Sequence, residues 1–335
     1  MRARKSAIRH PSGVTLQTPL LVPSFSSKGF QFNKDGQSEI TIALGITSEV
    51  LYESMLISAY DLFHGHIPKP TDLKGLPSVV FLDSGGYETS DEHELSSVFR
   101  HSVPVKEWDE SKLKTLLDSW PPHVPAVFVN FDHGSVRKPL KVQIASAWKL
   151  LKKYPDQLHD IILKPETKSQ AYIQLPSVLS LAGELGKFHI IGFTEKELGS
   201  SILARMEMIA KIRYALDEAN VSAPIHVFGS LDPISSCLYF LAGAEIFDGL
   251  TWLRYSYLNG MTVYVQNFGA VELDVNERDK TVRDAGLVHN LIQLRKLQNE
   301  MNAFLLEHDF NVFTHHSELL KKAYDSLSAK MGGRE

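Results

Sequence analysis

Three short apolar runs in this chain end in an aspartate. They are Val79-Val80-Phe81-Leu82-Asp83, Ala126-Val127-Phe128-Val129-Asn130-Phe131-Asp132 and Glu245-Ile246-Phe247-Asp248. A carboxylate at the end of a buried strand can act as a nucleophile, a general acid or base, or a substrate anchor, and its surroundings decide which. Asp83 is followed by Ser84-Gly85-Gly86-Tyr87, a stretch whose glycines allow close backbone approach and whose tyrosine offers a ring face to a flat heterocycle. Each aspartate also has a simpler reading. Gly-Gly after a strand makes an ordinary turn, Asp-His-Gly at Asp132 makes another, and Asp248 suits the cap of a following helix.

The elements that must carry these residues alternate between short β-rich runs and helix-length segments, the pattern of βα units on a parallel sheet. The sequence predicts strands at Leu20–Ser24, Glu39–Leu44, Ser78–Leu82, Ala126–Phe131, Asp160–Leu163, Phe188–Gly192, Ile225–Phe228 and Glu245–Phe247. Eight strands with crossover helices make an α/β protein of the (β/α)8 barrel type, in which strand C-termini meet at one mouth where active sites are built. Helical periodicity is clearest over Leu198–Leu216 and Asp232–Ala242, the latter opening on Asp-Pro. Beyond Asp284 the texture turns to amphipathic helix, Leu287–Leu306 and Ser317–Leu327. The domain reading is therefore a barrel over 1–284 and a C-terminal helical extension over 285–335, packed on the barrel. The long polar connection Ser84–Asp109 carries two histidines, and loops of that size on a catalytic face are usually functional.

The chain has 335 residues, 43% of them hydrophobic, enough for one large barrel. Cys237 is the single cysteine, which excludes an intrachain disulfide and a thiolate-rich zinc site and points to a reducing, cytoplasmic setting. No apolar run approaches the ~20 residues needed to span a bilayer, and the basic N-terminus has no apolar segment behind it, so a soluble, unprocessed protein is expected. The net charge of −4 gives no overall sign of a polyanion partner. Basic clusters at Arg2–Arg9, Arg137–Lys141, Lys149–Lys153 and Lys280–Arg283 are expected to be solvated faces, unless several line one rim.

Taken in order, the motifs resemble those of the queuine and archaeosine transglycosylases, which exchange guanine in a polynucleotide for a 7-deazaguanine. Thr18-Pro19-Leu20-Leu21-Val22-Pro23-Ser24 with Lys28-Gly29 is similar to the family's first strand, and Leu82-Asp83-Ser84-Gly85-Gly86-Tyr87-Glu88 to its Thr-Asp-Ser-Gly-Gly-Phe/Tyr-Gln signature. Asn130-Phe131-Asp132, Ile191-Gly192-Phe193 through Glu197, His226-Val227-Phe228-Gly229 with Asp232-Pro233, and Gly243 to Asp248 follow in family order, with Leu253-Arg254 and Asn259-Gly260 echoing the family's Thr-Arg and Asn-Gly. The resemblance runs from about residue 11 to the end.

It implies Asp248 as the nucleophile at the ribose anomeric carbon and Asp83 as the acid/base that handles the base's proton. Substrate-binding roles fall to Asp132 on the base edge, Tyr87 on its face, the backbone of Gly192 and Phe193 on its carbonyl, and Ser84, Glu197 and Arg254 in the matching motifs. Lys164, in Leu163-Lys164-Pro165-Glu166, stands where the family reads the base with a glutamine. It would contact a carbonyl or acidic substituent, or else point at solvent and pair with Glu166. The family's Asn-Thr-Tyr-His-Leu after the second strand has no clear counterpart, and Leu51 to Tyr60 stands in its place.

The family's zinc site, Cys-x-Cys-x-x-Cys plus His, is lost here. His308 is either a remnant of the ligand histidine or plain surface. No metal and no cofactor are expected. A barrel with the catalytic set but without that subdomain resembles the branch of bacteria and their viruses that acts on DNA. The expected partners are DNA first and transfer RNA as the alternative, with a 7-deazaguanine as the small substrate and a homodimer or modification-system proteins possible beside it. A noncatalytic accessory paralogue and a barrel glycoside hydrolase are the competing classes.

Overall fold

A computed structural model describes residues 2–34, 38–51, 53–72, 75, 77–89, 103–132 and 136–332. Eight parallel strands close into a barrel: β1 Leu20–Phe25, β2 Ser54–Ser58, β3 Val79–Asp83, β4 Ala126–Val129, β5 Leu158–Leu163, β6 Ile190–Thr194, β7 Ile225–Phe228 and β8 Ile246–Gly249. β8 pairs back onto β1 with Asp248 opposite Val22, which completes the ring. The helices around it are α1 Ile40–Thr47, α2 Ala59–His64, α3 Glu110–Asp118, α4 Leu140–Leu151, α5 Leu175–Leu185, α6 Ile202–Glu218, α7 Pro233–Ala242, α8 Val265–Glu272, α9 Asp279–Glu307 and α10 Ser317–Lys330. The fold is the expected (β/α)8 barrel with C-terminal helices. Among the described residues no helix is long and apolar enough to cross a membrane.

One strand was expected in the wrong place. Glu39–Leu44 is rich in β-branched residues, yet it belongs to α1, which buries Ile40, Ala43, Leu44 and Thr47 at the i, i+3, i+4, i+7 spacing of a helix face. The second strand is Ser54-Met55-Leu56-Ile57-Ser58, buried along its whole length. A strand covered on both faces loses the alternation that marks a half-exposed one, and the flanking serines disguise this one as a loop. Within Leu51–Tyr60 the strand takes Ser54–Ser58, and the residues that follow it are Ala59-Tyr60-Asp61-Leu62 of α2.

Strand parity sorts the core into two shells, because successive side chains point to opposite faces. Leu20, Val22, Phe81, Val127, Ile190 and Ile246 fill the barrel, whereas Leu21, Val80, Phe128, Ile191 and Phe247 pack outward among the helices. Asp232 caps α7 by accepting from the backbone of Ile234 and Ser235 at 3.1 and 3.0 Å, with Pro233 in the first turn, and Gly243 ends the helix at φ 110°. α9 begins at Asp279, ahead of the Leu287 read from the sequence. It is tied to the barrel through Asn290, which accepts from Tyr257 N and donates to the carbonyls of Trp252 and Tyr255, all at 2.7 Å. Trp252 in turn donates to the carbonyl of Ser24 on β1 at 3.1 Å.

Candidate active site

The inward parity of the strands delivers polar side chains to the C-terminal mouth. On β3 the inward series Val79, Phe81 ends in Asp83, and on β8 Ile246 is followed by Asp248. On β5 the series Leu158, Asp160, Ile162 continues to Lys164 just past the strand, and on β1 Leu20 and Val22 lead to Ser24. Asp83, Asp132 and Asp248 line one cavity of about 950 Å³, counting the space open to solvent, together with Tyr87 and Lys164. Leu56, Ile162 and Phe228 supply its apolar walls.

Asp248 is buried and does not cap a helix. Its Oδ2 accepts from Ser24 Oγ at 2.7 Å, while Oδ1 meets Gly229 N and His226 Nε2, each at 3.2 Å. Asp83 accepts from Gly85 N at 3.3 Å, and burial, then the charges of Asp132 and Asp248, push its pKa up to about 7. That puts its proton in play at neutral pH, as a general acid/base requires. Asp132 accepts from Ser84 Oγ, and Lys164 Nζ lies 3.4 Å from its Oδ2. Gly86 is required beside it, since a Cβ there would sit 2.5 Å from Asp132 Oδ1.

Lys164 does not point at solvent. Its ammonium donates to Thr194 Oγ1 at 2.6 Å and lies 3.3 Å from Glu197 Oε2, whereas Glu166 turns away to accept from Leu140 N and Ser177 Oγ. Glu197 also meets Arg137 at 3.1 Å, so that member of a basic cluster faces the site and not water. Of the remaining expected residues, Ser84, Glu197 and Arg254 stand behind the cavity lining. Arg254 donates to Tyr87 Oη at 3.1 Å and to Lys28 O at 3.0 Å, and Lys28 Nζ sits 4.3 Å over the Tyr87 ring. The Phe193 side chain packs outward in the helix-facing shell, away from the cavity. Gly192 faces inward, where a Cβ would meet the Phe228 ring at 2.3 Å, so this glycine makes room for the cavity wall.

Several site residues were not anticipated. Ser24, Ser58, Thr194 and Phe228 follow from parity once the strands are in register. Glu88, the glutamate after the Gly-Gly-Tyr motif, is buried on the cavity wall and accepts from Ser26 Oγ. Its pKa is pushed up to about 8 by burial and by the charges of Asp61 and Asp83. His226 lies fully buried between Asp160 and Asp248. Burial alone would lower its pKa, but the two carboxylates outweigh that and raise it to about 9.

His308 is exposed in the left-handed conformation at the end of α9, and among the described residues no cluster of His, Cys, Asp and Glu could hold a metal ion. The histidines of the Ser84–Asp109 connection, His93 and His101, lie outside the described residues, as do His133 and Gly134 after Asp132. The fold and site thus define a (β/α)8 barrel with an acidic, apolar-walled cavity at the C-terminal ends of its strands. A scan against protein-family models finds no match, and a search of curated proteins finds none.

Proposed function

We propose that the protein is a nucleobase transglycosylase that exchanges guanine in a polynucleotide, DNA in preference to transfer RNA, for a 7-deazaguanine. One observation carries this reading: Asp83, Asp132 and Asp248, remote in sequence, line a single cavity whose apolar walls suit a flat heterocycle. The target nucleotide leaves its stack to reach such a pocket. Asp248 attacks the anomeric carbon and the glycosidic bond breaks, its electron pair leaving with guanine, which takes a proton from Asp83. The incoming base then returns a proton to Asp83 and attacks the same carbon, releasing Asp248. Splitting one displacement into two retains the energy of the glycosidic bond in an aspartyl ester, so neither ATP nor water is needed.

Asp132 and Lys164 face the base edge with an acceptor and a cation, and Tyr87, braced by Arg254, stands at the rim. The preference for DNA rests on the single cysteine, Cys237, which is buried on α7 and leaves no thiolate set for the subdomain that serves transfer RNA in the resembling enzymes. The test is incorporation of a labelled 7-deazaguanine into duplex DNA and into transfer RNA offered in competition. Wild type is expected to label DNA, and Asp248→Asn neither polymer. Labelling of transfer RNA alone would reverse the polymer assignment, and equal labelling by the variant would refute the nucleophile.

A further inference from the structure

Behind Asp248 the barrel interior holds a second pair of ionisable groups that the two displacement steps leave unused. His226 Nδ1 lies 2.7 Å from Asp160 Oδ2, and Nε2 lies 3.2 Å from Asp248 Oδ1. The side chains of Asp160 and His226 are fully buried. The Phe228 ring stacks on the imidazole at 3.8 Å and Phe81 meets it edge-on at 5.8 Å, so water is kept from both faces. With both carboxylates ionised, a ring whose two nitrogens each face a carboxylate oxygen satisfies both only when both nitrogens carry hydrogen, that is, as imidazolium. Asp160 Oδ1 has no hydrogen-bond partner among the described residues, so this carboxylate is committed to His226 through a single oxygen.

We propose that Asp160 and His226 are positioning residues that set the lifetime of the covalent intermediate, holding a positive charge against Asp248 so that it leaves readily when the incoming base attacks. This rests on the transglycosylase reading. A cationic donor bonds a carboxylate more strongly than it bonds a neutral ester oxygen. The relay therefore favours Asp248 free over Asp248 esterified. Oδ1 is held by His226 and Gly229 N, and Oδ2 only by Ser24, which makes Oδ2 the oxygen that bonds to the anomeric carbon. In the second step the C–O bond to Oδ2 breaks, its electron pair returns to the carboxylate, and the negative charge reappears one hydrogen bond from the imidazolium. Without that cation the ester should persist.

The experiment quenches steady-state reactions with duplex DNA and labelled base in denaturant and measures the fraction of protein joined to DNA by intact-mass spectrometry. His226→Gln keeps a side-chain donor without the charge. It is expected to raise the adduct fraction on the order of tenfold, the difference between a charged and a neutral hydrogen bond, while turnover falls. Asp160→Asn, which leaves the imidazole in place, should move both in the same direction by less, and serves if His226→Gln does not fold. A merely structural role would lower adduct and turnover together. Exchange by wild type with no rise of adduct in either variant overturns the proposal alone. No exchange by wild type on DNA or RNA overturns the transglycosylase reading and this proposal with it.

Discussion

Replacing Asp83 by asparagine should change how stability depends on pH. In the native protein the Asp83 carboxyl is held at about 7, against 3.8 for the free side chain, by burial and by the charges of Asp132 and Asp248. Between those two values the unfolded chain has lost a proton that the folded chain retains, so stability falls as pH rises, by about 1.4 kcal/mol per pH unit. The stabilising preference is fully present below pH 4 and gone above pH 7. Over roughly three pH units the loss attributable to Asp83 is about 4 kcal/mol, a large part of the net stability of a typical domain. Asparagine cannot ionise. The variant should match wild type near pH 4 and exceed it by about 4 kcal/mol at pH 8, with the gap opening between. Urea denaturation of both proteins at pH 4, 5, 6, 7 and 8 measures this, provided each is two-state and the slopes agree. Parallel stability curves, or an asparagine variant less stable at pH 8, would refute a carboxyl held protonated in the barrel mouth by burial and by its acidic neighbours.

Three further changes probe the supporting structure. Gly192→Ala would place a methyl 2.3 Å from Phe228 Cε2, forcing that ring off its stack on His226; a loss of about 1–3 kcal/mol and a raised KM for the base are expected, and unchanged values would contradict the packing. Lys164→Met withdraws the cation from Asp132 and Glu197, of which Glu197 keeps a second cation in Arg137 while Asp132 keeps the Ser84 hydroxyl. A cost of about 3 kcal/mol in urea denaturation is expected, and a stability gain would show that the ion pairs do not repay their desolvation. Asn290→Leu leaves the buried N–H of Tyr257, the buried carbonyl of Trp252 and the partly buried carbonyl of Tyr255 without their partner. It should cost about 4 kcal/mol, and a change under about 1 kcal/mol would mean that the C-terminal helix is held by its apolar stripe alone.

The barrel was legible because seven of its strands are apolar runs bounded by turn residues and spaced by helix-length segments. The exception is the stretch that forms α1. Ile40, Thr41 and Ile42 favour a strand on local preference, but the burial of Ile40, Ala43 and Leu44 on one face decides for a helix, and burial is a tertiary fact. At the site, the three aspartates stood out as polar ends on apolar runs. Thr194 did not, although parity places it inward beside an outward Phe193; the motif drew attention to the phenylalanine, while the pleat gave the contact to its neighbour. The Asp160–His226 pair was less accessible still. Each residue sits inside a different strand, and the register of both strands with β6 between them, where Gly192 has no side chain, brings the imidazole within 2.7 Å of its carboxylate. Lys164 was visible as a departure from the glutamine of the resembling enzymes, but its choice of Asp132 and Glu197 over Glu166 depended on the register of β5 with β6.

The proposed role of Asp248 is to bond covalently to the sugar of a polynucleotide. It is tested most directly by digesting protein quenched during reaction with duplex DNA and identifying the peptide that carries a nucleotide. The expected result is a single modified peptide containing Asp248, with the modification absent from Asp248→Asn. Incorporation of the 7-deazaguanine with no modified peptide, or with the modification on another residue, would rule out that role for Asp248.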